Sequence, residues 1–63
     1  MKIKDFKNGA SVIQDDPSTP SGMILVYVRN PQGEIHDKIR CENRTMAREY
    51  FNAFCAIAKN MKG

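Results

Sequence analysis

Apolar positions recur with a helical period over the last third of the chain, from Asn43 to Met61. Placed at about 100° per residue, Met46, Tyr50, Ala53, Phe54, Ile57 and Met61 form one stripe. Ala47, Phe51, Cys55 and Ala58 widen it to an arc of about 200°, whereas a helix resting on one core needs little more than about 100°. The pattern predicts a helix over about 44–61. Asn43 or Thr45 can cap its start, Lys59 and Lys62 suit its negative end, and Gly63 is a permissive last residue. The surplus arc predicts that Phe51, Cys55 and Ala58 meet a second copy of the chain.

Upstream the helical period is absent. Met23 to Val28 is a continuous apolar run, as in a strand covered on both faces. Asn30-Pro31-Gln32-Gly33 fits a type I turn with a glycine bulge, so residues 34–41 return as the partner strand. In that register Arg29 faces Ile35, Tyr27 faces Asp37, Leu25 faces Ile39 and Met23 faces Cys41. One side then holds Met23, Leu25, Tyr27, Ile35, Ile39 and Cys41 as the seat of the helix. The outer side holds Ile24, Val26 and Val28 beside His36, Lys38 and Arg40. A register one residue different would set Asp37 among buried valines.

Asn8-Gly9 reads as a two-residue hairpin turn between strands over about 2–7 and 10–15, with Lys7 facing Ala10 and Phe6 facing Ser11. That register puts Phe6 and Ile13 on one side. Asp15 to Gly22, with two prolines and a glycine, reads as a loop. The expected fold is α+β: an antiparallel sheet of three or four strands (about 2–7, 10–15, 23–30, 34–41) with one C-terminal helix on one face.

Size sharpens the case for self-association. The chain has 63 residues, one domain's worth, and a chain this short buries only about 60% of its unfolded surface. Two cysteines and one histidine do not make a structural zinc site, and the N-terminal residues carry charge but no apolar run of signal-peptide type. The expectation is a cytoplasmic chain with reduced thiols, stabilised as a homodimer and without a membrane span. The dimer candidates are Phe51, Cys55 and Ala58 on the helix and Ile24 and Val26 on the outer sheet face.

Net charge is +3, which permits contact with nucleic acid without requiring it. The outer face admits three readings: cover by the first strand pair, pairing of two copies, or contact with nucleic acid. In the last, Lys38 and Arg40 meet phosphates with Arg29, His36 and Arg44 as further candidates. Strands followed by one helix resemble, at the level of the fold, the sheet-reading DNA-binding domains of phage integrase arms and of a class of plant transcription factors. The order also resembles the second half of double-stranded-RNA-binding domains. The chain departs from both: it has no tryptophan, and its helix start offers only Arg44 and Arg48. The first of these resemblances implies a basic sheet face as the contact surface.

Catalysis finds little support. His36 and Asp37 are adjacent and alternate across a strand, and the four glycines are scattered rather than gathered into a phosphate cradle. Asp15 and Asp16 with Glu34 or Asp37 could gather a divalent cation, but paired acids before a proline suit a turn. The sequence therefore predicts a non-enzymatic binding or regulatory protein acting on an unidentified protein partner, with no cofactor, metal or catalytic residue. The alternative is a nucleic-acid-binding protein.

Overall fold

The computed structural model describes residues 1–16 and 22–62. Four strands, β1 (Lys2–Asp5), β2 (Ser11–Asp15), β3 (Ile24–Arg29) and β4 (Ile35–Cys41), form one antiparallel sheet in chain order. The helix α1 (Arg44–Lys59) packs across one face, chiefly over β2 and β3. This is the expected α+β arrangement. Most of the expected loop over Asp15 to Gly22, and Gly63 with it, lie outside the described residues.

Both hairpins turn on the same device. Phe6 N–H donates to Ala10 O at 2.9 Å and Gly9 N–H to Phe6 O at 3.0 Å. Asn30 N–H donates to Glu34 O at 2.8 Å and Gly33 N–H to Asn30 O at 2.9 Å. Each loop thus has three residues, ending in a glycine at positive φ (Gly9 95°, Gly33 87°) that supplies the left-handed position. The second turn matches its sequence expectation and the first does not. A two-residue Asn-Gly turn needs both residues at positive φ, and no non-glycine described residue adopts one. Lys4 therefore faces Val12 and Ile3 faces Ile13, so Phe6 and Ile13 lie on opposite sides of the sheet.

A second irregularity corrects the β3–β4 register. Arg29 faces Ile35 as expected, but the pairing then slips: Val28 faces Asp37, Val26 faces Ile39 and Ile24 faces Cys41. His36 is the extra residue of this bulge. Every later side chain on β4 is exchanged between faces relative to β3. The helix seats on Ile24, Val26 and Val28, all buried, with Ile39 and Cys41 brought to the same face, and not on Leu25 and Tyr27. Asp37 stands opposite Val28 yet remains exposed, because β4 is an edge strand beyond the main footprint of the helix.

The helix is rolled by about 80° from the orientation the stripe from Met46 to Met61 suggests, taking about 100° per residue. Its buried line is Ala47, Phe51, Phe54 and Ala58, while Ala53 and Ile57 face solvent. Small residues at both ends of that line let the backbone approach the sheet, and the two phenylalanines fill the space between with Val12, Val26 and Val28. Asn43 caps the start, its Oδ1 accepting from Met46 N–H at 2.8 Å. At the other end Asn8 acts as a clamp. Its Nδ2 donates to Ala58 O at 2.8 Å and Met61 O at 2.7 Å, and its Oδ1 accepts from Ala10 N–H at 2.9 Å.

These placements correct the dimer candidates. Phe51, at 3% exposure, and Ala58, Ile24 and Val26 are buried inside the chain's own core; Cys55 alone of the five is only partly buried. The cover for Phe51 comes from the first strand, where Lys2 Nζ lies 4.5 Å from the ring centroid. A lysine stem hides apolar surface while its ammonium stays in water over the ring face. A pattern that counts only apolar residues does not register that kind of cover.

Candidate nucleic-acid interface

Three ladders of directly opposed residues define the sheet face turned away from the helix. The central one runs Ile3, Ile13, Tyr27, Lys38 across all four strands. Beside it run Asp5, Ser11, Arg29, Ile35 on one flank and Asp15, Leu25, Arg40 on the other. Among the described residues no helix or strand lies over this face. Ile13 is nonetheless buried, hidden by Ile3 and Tyr27 on either side. Ile3 and Ile35 are more than half exposed.

The register correction changes the chemistry of this face. Tyr27, expected beneath the helix, is half-buried on the open side with Lys38 opposite it and Arg29 two residues along its own strand. Arg40 lies two residues beyond Lys38, a step of about 6.6 Å along a strand, with neighbouring strands about 4.8 Å away. One aromatic residue thus shares this part of the face with three exposed cations. Among the described residues the ion pairs involve only Asp16, with Met1 N and with Arg44 at 3.8 Å each, so Arg29, Lys38 and Arg40 have no acidic partner there. The acids of the face, Asp5 and Asp15, sit on β1 and β2, which polarises the surface across its width.

Of the sequence candidates, the structure brings Arg29, Lys38 and Arg40 together. His36 stands in the bulge at the edge strand. Arg44 lies apart at the helix start, held by Asp16. Tyr27 and Leu25 are the members that sequence reasoning missed; the one available signal was that a strand apolar on both faces leaves its orientation open.

Among the described residues no group of three His, Cys, Asp or Glu side chains could hold a metal ion, and no helix is long and apolar enough to cross a membrane. Cys41 is fully buried, and desolvation pushes its thiol pKa up, away from a reactive thiolate. Cys55 is free and partly exposed. Compared with family models, curated proteins and solved structures, the chain matches none of them.

Proposed function

We propose that this protein is a non-enzymatic binding module that engages nucleic acid through the open face of its sheet. The observation that carries the reading is the set of three cations, Arg29, Lys38 and Arg40, unpaired among the described residues and at register positions neighbouring the half-buried Tyr27. Cations at this spacing suit backbone phosphates, and a tyrosine face suits stacking by an unpaired base. Two free cysteines accord with a cytoplasmic setting.

Fluorescence anisotropy with mixed-sequence DNA and RNA oligonucleotides tests the proposal. Binding should weaken with salt, and Lys38→Glu with Arg40→Glu should abolish it at about 150 mM salt. The charge-removing pair Lys38→Gln with Arg40→Gln should reduce the slope of log K against log salt by roughly 1.5, the loss of two phosphate contacts. No binding at low salt would overturn it.

A second reading, a homodimer acting through protein contacts, is favoured by the exposure of Ile3 (56%) and Ile35 (54%) on the same face. Two such faces could pack together with their ladders aligned. Light scattering on the purified protein separates the two: a dimer dispersed by Tyr27→Glu supports the homodimer, and a monomer at all concentrations removes it.

A further inference from the structure

On the helix side of the sheet, at the end carrying both hairpin turns, a groove of about 470 Å³ opens between the first hairpin and the end of α1. Lys4, Phe6, Lys7 and Asn8 line it from the hairpin, and Lys59 and Met61 from the helix. Three lysines converge there without any acid in the lining, and among the described residues none of the three belongs to an ion pair. The volume falls in the range of small-molecule sites. Phe6 and Met61, both half-buried, contribute the apolar surface.

A helix C-terminus ordinarily repels anions, because its last carbonyls carry partial negative charge. Here Asn8 Nδ2 donates to one of those carbonyls, Ala58 O, and to Met61 O just past the helix end. The lysines are therefore not consumed in capping the helix, and the groove is left with a net positive lining. Exposed ammonium groups lining one groove repel one another, and an anion of several charges between them relieves that repulsion. Lysine, a mobile point charge, suits a chain of phosphoryl groups more than a planar carboxylate.

We propose that this groove binds a linear polyphosphate group, carried either by a free inorganic chain or by a nucleoside triphosphate. The site lies on the opposite side of the sheet from Arg29, Lys38 and Arg40, and the proposal does not rest on nucleic-acid binding.

The test is an amide NMR titration of the full chain with sodium tripolyphosphate, with ATP, and with adenosine as the uncharged comparison. Tripolyphosphate should give saturable shifts at Phe6, Lys7, Asn8, Lys59 and Met61 with a Kd below about 1 mM. Equal affinity for ATP assigns recognition to the phosphate chain alone, and tighter ATP binding adds contact of the base with Phe6 and Met61. Adenosine should cause no shift. Lys7→Gln with Lys59→Gln, both at exposed positions, should raise the Kd about tenfold, while Arg40→Gln leaves it unchanged. Shifts that fail to saturate by roughly 10 mM, or an unchanged Kd in the lysine double variant, would overturn the proposal. So would shifts equally strong at Arg29, Lys38 and Arg40, because they would indicate attraction by overall charge.

Discussion

Asn8 is the side chain on which the attachment of the helix end to the sheet most depends, and Asn8→Ala is the sharpest test of that claim. The substitution removes three hydrogen bonds at once: two from Nδ2 to Ala58 O and Met61 O, and one accepted by Oδ1 from Ala10 N–H. Each is part-buried, and a typical bond of this kind contributes about 1 kcal/mol net. Partial access of water to the freed carbonyls lowers the sum, so the expected loss is about 2 kcal/mol. For 63 residues at about 0.05–0.15 kcal/mol each, total stability is about 3–9 kcal/mol, so the loss is a large fraction. Urea unfolding followed by circular dichroism at the helix band should show it in the midpoint, with the slope unchanged. The melting temperature should fall by about 8–16 °C. Asn8→Asp separates the two halves of the side chain's role. Aspartate keeps the acceptor for Ala10 N–H but places negative charge against the helix carbonyls, so it should be at least as destabilising as alanine. An alanine variant within about 0.5 kcal/mol of the parent, or a neutral aspartate variant, would refute the clamp.

Phe51→Asp should unfold the chain rather than release a partner, because it buries a carboxylate among Val12, Val26 and Phe54; loss of the helical signal checks this. Gly33→Ala should cost about 1 kcal/mol, since φ is 87° and a Cβ there meets nothing within 4 Å, which leaves backbone strain as the whole effect; denaturant midpoints measure it. Cys55 should react with a thiol reagent at once and Cys41 only through opening of the fold, so the two labelling rates should differ by orders of magnitude. Because burial raises the Cys41 pKa above its unfolded value, its contribution is fully present below the unfolded thiol's pKa. It is lost as pH rises through the folded value, and Cys41→Ser should flatten that alkaline decline in urea midpoints.

The elements themselves were legible in the chain because their causes are local. The helix over Arg44–Lys59, its Asn43 cap and the Asn30–Gly33 turn each follow from residues within a few positions of one another. Three of the cations on the open face were equally plain as candidates. Their neighbour Tyr27 was not, since Met23 to Val28 is apolar on both sides and carries no alternation to say which side is inside.

Only the assembled structure decided orientation. A period of two makes a single inserted residue exchange the faces, so the bulge at His36 put Ile39 and Cys41 on the helix-covered face with Ile24, Val26 and Val28, and Lys38 and Arg40 on the open face with Tyr27. The benefit of this arrangement is the close packing of three β-branched residues against Phe51 and Phe54, a sum over residues far apart in sequence. The roll of the helix was settled in the same way. Lys2, some fifty positions upstream, covers Phe51, and Asn8 ties down the helix end. Composition and periodicity thus determined which segments form strands and helix. Which of their faces meet depended on long-range cover by polar side chains, which a pattern of apolar positions does not encode.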